Sequence, residues 1–171
     1  MRARLLALLA IVVAGASAPL AAAAEPAPVG AAVAAPRWTA PLDGGLAVTR
    51  PFDAPPHPYG AGHRGVDLRG SPGAPVLAAG DGVVVFAGPV AGRPVVSVDH
   101  ADGLRTTYEP VAPSVGAGQA VARGSPIGTL ATGHAGCPTA ACLHWGLRRG
   151  ETYLDPLSLL RPPRVRLLPM G

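Results

Sequence analysis

Between Pro41 and Pro162 no run of residues free of glycine and proline exceeds eight. Proline removes a backbone donor and glycine adds chain entropy, so no helix of ordinary length fits anywhere in that span. What fits is short extended segments joined by turns. PVLAA, GVVVFAG, RPVVSVDH, LRTTYEPV, QAVARG and SPIGTLA are each about strand length, rich in β-branched residues and bounded by turn residues. In DHADGLRT the dipeptide Asp102-Gly103 favours a tight turn. The fold class is therefore all-β.

Two segments resemble each other, PGAPVLAAGDGVVVFAG (72–88) and VGAGQAVARGSPIGTLATG (115–133). Each carries a valine strand, a glycine turn and a second strand ending in glycine. Paired hairpins of this kind suggest a β-sandwich such as that of biotinyl and lipoyl carrier domains. Those carriers need an acceptor lysine, and this chain contains none, so a carrier role is excluded.

The N-terminus reads differently from the rest. Arg2 and Arg4 precede the apolar run LLALLAIVVAGA, followed by small residues up to Ala24. These are the parts of a secretory signal peptide, assigned to residues 1–24, and the apolar run is too short to span a bilayer. No cysteine stands at the junction to carry a lipid, so no stable membrane anchor is expected. Residues 25–40, rich in alanine and proline, read as a linker. A single domain follows at 41–160, with a C-terminal tail at 161–171. Losing Arg2 and Arg4 halves the formal charge of +4, too mild an excess to point to nucleic acid. The only cysteines are Cys137 and Cys142. In an exported chain such a pair is more often bridged than free.

The stretch GHRGVDL (62–68) spaces His63 and Asp67 four residues apart, so in a strand they share a face with Gly65 between them. Gly65 places no side chain between the two, leaving room for an ion. Alone, the pair also fits a capped turn with a solvated histidine. Downstream, His144 sits in the apolar run ACLHWGL (141–147), where an imidazole costs free energy unless it is paired or coordinated. Two histidines, an aspartate and an open position suit catalytic zinc.

The series GHRGVDL, GAPVLAAGDGVVVFAG, VSVDHADGLRTTYEPV, VARGSPIGTL, CLHWGL and YLDPLSLL resembles, in order and spacing, the lysostaphin-type (LytM) zinc metallopeptidases of the bacterial cell wall. The resemblance covers about residues 50–160. It implies a single antiparallel β-sandwich domain of the duplicated-hybrid-motif type, with His63, Asp67 and His144 as ligands of Zn2+. It also implies peptidoglycan stem or cross-link peptides as substrates, cleaved by a zinc-activated water in the cell wall outside the cytoplasm.

Two positions depart from that pattern. The first histidine of the family's His-x-His is Cys142 here, and the histidine of its Tyr-x-His is Pro110, in Tyr108-Glu109-Pro110. In the family those histidines handle protons beside the zinc water, and proline has no proton to transfer. Glu109 is one residue away, but strand alternation aims it at the opposite face from Pro110. His134, in TGHAGC, lies on the loop leading to the metal strand; it is either solvated or able to swing in. Cys142 shares a strand face with His144, and its readings are a fourth ligand, a reactive thiol, or a disulfide with Cys137, the last favoured in an exported chain. Arg148 and Arg149 read as a solvated strand end, with contact to an acidic peptide as the alternative. Two functions are expected from these residues: a slow secreted zinc metalloendopeptidase, or a non-catalytic module that binds peptidoglycan or activates a separate cell-wall hydrolase.

Overall fold

In the computed structural model, residues 36–161 apart from Pro58 are described. The expected leader, the linker up to residue 35 and the tail beyond Arg161 lie outside the described residues.

Among the described residues eleven strands follow one another: β1 (Val48–Arg50), β2 (Gly65–Gly70), β3 (Pro75–Leu77), β4 (Gly82–Val90), β5 (Arg93–Asp99), β6 (Leu104–Glu109), β7 (Val111–Pro113), β8 (Ala120–Val121), β9 (Pro126–Leu130), β10 (Ala141–Arg149) and β11 (Thr152–Leu154). Short 3-10 turns occupy Ala101–Gly103 and Pro156–Leu160. The large sheet runs β1-β2-β10-β6-β5-β4-β8, with β11 added to β10, and the small sheet runs β3-β9-β7. Every pairing between these strands is antiparallel. No helix among the described residues is long and apolar enough to cross a membrane.

The two similar segments interlock rather than stack. The first strand of one pairs with the second strand of the other, β3 with β9 and β4 with β8. LRTTYEPV, expected as one strand, is two. The chain leaves the large sheet after Glu109 and re-enters the small sheet as β7, because proline cannot donate to the ladder at the point of departure. Between β5 and β6 the chain reverses at Asp102 and Gly103, both at positive φ (66° and 69°), as the Asp-Gly signal requires.

Alternation along the central strands separates core from surface. On β2, Val66 and Leu68 enter the core while Asp67 faces the other way; on β10, Leu143 and Trp145 enter while Cys142 and His144 do not. Val76, Val84, Val96, Val98, Val111, Ile127 and Leu130 close the core from both sheets. The expected linker does not reach Ala40. Arg37 pairs with Asp102 at 2.6 Å, the Thr39 N–H donates to the Ala79 carbonyl at 2.8 Å, and the Trp38 ring meets His100 edge-on at 4.9 Å. Residues 37–40 are thus a strap on the domain. The alanine- and proline-rich composition hid it, because Arg37, Trp38 and Thr39 meet residues distant in sequence.

His100 is structural. Its Nδ1–H donates to the Asp81 carbonyl at 2.8 Å, so the neutral ring offers Nε2 as an acceptor to Thr106, 2.7 Å away. Burial pushes the His100 pKa down, in keeping with that neutral form. The Thr106 hydroxyl also bonds the Tyr108 hydroxyl oxygen (2.9 Å), which accepts the Ala79 N–H as well (2.9 Å). Tyr108 is fully buried, and burial raises its pKa to about 12 despite those bonds. An unfolded tyrosine ionises near 10, so the stability this adds is complete below pH 10 and is lost as pH rises toward 12. The chain has no lysine to titrate in that range. Tyr108→Phe should lower unfolding free energy by about 1–3 kcal/mol at pH 8, by orphaning the Ala79 N–H. It should also flatten the fall in stability between pH 10 and 12, both read from urea unfolding curves.

Candidate metal centre

The register of β2 against β10 sets Asp67 directly opposite His144, and directly opposed residues share a face. His63 reaches the same point from just before β2, where its backbone forms a two-bond bridge with Asp53 (2.7 and 3.0 Å). Asp67 Oδ1 lies 3.0 Å from His63 Nε2 and 2.9 Å from His144 Nδ1, and the two nitrogens are 3.1 Å apart. His63 and Asp67 are buried, whereas His144 is partly open.

The protons in this triangle can be assigned. His63 Nδ1 is 2.7 Å from the Pro51 carbonyl. A carbonyl only accepts, so Nδ1 carries the hydrogen and neutral His63 turns a lone pair toward the centre. That lone pair faces a carboxylate oxygen. A proton on His144 Nδ1 could serve one edge of the triangle but not all three. A divalent cation against the face of the triangle satisfies every edge at once. The edges, 2.9–3.1 Å, are close to the separation of about 3.3 Å that neighbouring ligands have around tetrahedral zinc with bonds of 2.0–2.1 Å. The residues present therefore fit a divalent metal, and the Pro51 carbonyl is the outer partner that fixes the tautomer of one ligand.

Burial alone would raise the Asp67 carboxyl. Hydrogen bonds from His144 and His134 overcome it and bring the pKa down from 3.8 to about 2. Gly65 has a different role from the one expected. The space it leaves is filled by the His144 ring: a Cβ there would lie 2.8 Å from His144 Cε1 and Nε2 and would also meet the Trp145 carbonyl. The glycine makes room for a ligand rather than for the ion.

His134 does swing in. Its Nε2–H donates to Asp67 Oδ2 at 3.1 Å, and its ring stacks on His144 with centroids 5.8 Å apart. Cys142 is in a disulfide with Cys137, which removes the readings of a fourth ligand and a free thiol. Glu109 corrects the expectation that it faces away from the site. Alternation holds, but the groove lies on its side: Pro110 is buried, while Glu109 stands opposite His144 in the register and lines the groove, ion-paired to Arg93. The groove, about 320 Å³, is also lined by His63, His134, His144, Arg50 and Arg64. Arg50 and Arg93 were missed in the sequence, where nothing marks them apart from other arginines; Arg64, beside His63, could have been found. Arg148 bonds to Glu151 and the Gly150 carbonyl at a separate hollow. Tyr108 and Trp145 are core residues, and Tyr153 is half-buried with the Arg64 guanidinium 5.3 Å above its ring.

The model of peptidase family M23 matches residues 61–156. The chain belongs to peptidase family M23. Solved structures are similar as well. A zinc-containing peptidase from Vibrio cholerae superposes with a TM-score of 0.58 at 27% identity, over 72% of this chain and 39% of that one. The catalytic domain of the antimicrobial peptidase lysostaphin from Staphylococcus simulans gives 0.57 at 26% identity, over 67% and 92%. An uncharacterized protein of Mycobacterium tuberculosis is 54% identical over 135 residues, 77% of this chain and 54% of that one. The chain therefore spans about half the length of that relative. In this M23 chain the candidate ligand His144 needs the space at Gly65 for its ring. Gly65→Ala should thus weaken divalent-metal binding by about 10-fold or more while the β-sheet circular dichroism persists; unchanged affinity would show that His144 does not depend on the space at Gly65.

Proposed function

We propose that this chain is a secreted, cell-wall-associated M23 protein that holds zinc at His63, Asp67 and His144 and engages peptidoglycan peptides in the groove above them. The observation that carries the reading is the donor triangle at the floor of an open groove, with one histidine already forced into the ligating tautomer by Pro51. Zinc bound there would supply a water of lowered pKa and a Lewis acid for the scissile carbonyl. The rim supports a carboxylate-bearing peptide: Arg50, Arg64 and Arg93 line it, and Glu109 is the acid among its lining residues. The leader-like N-terminus supports export.

Turnover is proposed to be slow. By family resemblance, two proton-handling histidines would stand where this chain has Pro110 and Cys142. Proline carries no proton, and the Cys142 sulfur is committed to the bridge. Glu109 lines the groove but its carboxylate is neutralised by Arg93. Loss of a positioned acid or base costs about 10²–10⁴-fold. The same observations favour a second reading, a peptidoglycan-binding module or activator of a separate hydrolase with no turnover of its own.

Purified chain with zinc, incubated with peptidoglycan, should remain bound to the sediment and release peptides at least about 10²-fold more slowly than a fully active M23 enzyme assayed on the same material. His63→Ala should abolish the release. Binding without any zinc-dependent release would select the second reading. Robust zinc-dependent cleavage would contradict the assignment of slow turnover.

A further inference from the structure

Asp67 uses its two oxygens differently. Oδ1 faces His63 and His144, whereas Oδ2 receives only the His134 Nε2–H among the ring donors. His134 is not one of the three residues whose donor atoms converge on the candidate ion. Its hydrogen bond fixes rotation of the carboxylate about its Cβ–Cγ bond, so that one oxygen alone is presented to the triangle. A carboxylate free to turn would pay for that order on binding.

A histidine on a loop does not hold such a position unaided. His134 lies between β9 and β10, in a segment without strand structure, where a long side chain would ordinarily stay in water. Two links hold it here. The Cys137 N–H donates to the His134 carbonyl at 3.3 Å, closing a turn, and the disulfide ties that turn to Cys142, two residues before His144 on β10. Thr139 adds a hydrogen bond from its hydroxyl to the Ala141 carbonyl at 3.1 Å. The His134 side chain is accordingly only 13% exposed and packs on the ring of His144.

We propose that His134, held in place by the Cys137–Cys142 disulfide, is a positioning residue that sets how tightly His63, Asp67 and His144 hold a divalent ion. This rests on the reading of that triad as a zinc site. The disulfide then links metal affinity to the oxidation state of the chain: reducing the bridge frees the turn, and the ion is held less tightly although no ligand has changed.

The test is zinc affinity, by competition with a chromophoric chelator, on the full chain and its variants. Each is checked for native circular dichroism, and the cobalt-substituted forms are compared by absorption. His134→Ala should weaken zinc by about 10–100-fold, the range for loss of an outer hydrogen bond to a ligand. His134→Gln, which keeps an N–H donor, should recover most of it. Cys137→Ser with Cys142→Ser should give a similar loss, and adding His134→Ala to that pair should cost little more, since both act through one contact. The cobalt band of the His134→Ala form should keep the intensity and ligand-field pattern of the parent. A His134→Ala affinity equal to the parent's would overturn the proposal, as would full additivity of the two changes. So would a cobalt spectrum showing that His134→Ala removes a direct nitrogen ligand. A parent chain that binds no zinc would overturn the zinc reading itself, and this inference with it.

Discussion

A carboxylate buried in the middle of an open β-sheet is the constraint on which the rest of the site depends. Asp67 is 2% exposed, and an ionised group in that position is tolerated only when its oxygens are matched by donors or a cation. Three histidines from three places meet it: His63 from before β2, His144 from β10 and His134 from the loop between β9 and β10. Each would be costly or solvated on its own. Hydrogen bonds from His144 and His134 hold the carboxyl at a pKa of about 2, so the carboxylate is ionised at neutral pH. The stability this contributes is present above the ordinary value of 3.8 and lost as pH falls toward 2.

The scaffold exists to keep those groups in register. The β2–β10 ladder makes Asp67 and His144 direct partners and puts Val66, Leu68, Leu143 and Trp145 into the core behind them. A slip of one residue in this pairing would exchange the core face for the face that carries Asp67 and His144 along both strands, so burial of the apolar set and assembly of the triad are one event. On the other side β6 sets Tyr108 against Trp145 in the core and Glu109 against His144 in the groove. The interlocked hairpins complete the sandwich, with β3 and β9 facing the large sheet through Val76 and Ile127.

The sequence was most legible where a local rule decides. Spacing of glycine and proline excludes helices, Asp102-Gly103 marks its turn, and alternation in GVDL and ACLHWGL separates Asp67 and His144 from the core. The disulfide was the favoured reading of two cysteines in a chain with a leader-like N-terminus. What alternation cannot supply is which face of a strand meets the groove. Glu109 was placed correctly relative to Pro110 and wrongly relative to the site, because the face depends on β10 as a partner. His134 depends on a loop closed by a covalent bond, and Trp38 on packing against Gly80 and His100. These are contacts between residues distant in sequence, and no period records them. The likeness to lysostaphin-type enzymes supplied the triad; the tautomer of His63, fixed by Pro51, could only come from the fold.

The central claim is that His63, Asp67 and His144 are a metal centre built from nitrogen and oxygen donors, with both sulfurs held apart in a bridge. X-ray absorption at the zinc edge of the purified, metal-loaded chain tests it most directly. The account predicts only nitrogen and oxygen neighbours at about 2.0–2.2 Å, with the outer-shell scattering of two imidazoles. A sulfur neighbour at about 2.3 Å, or a spectrum with no imidazole scattering, would contradict it.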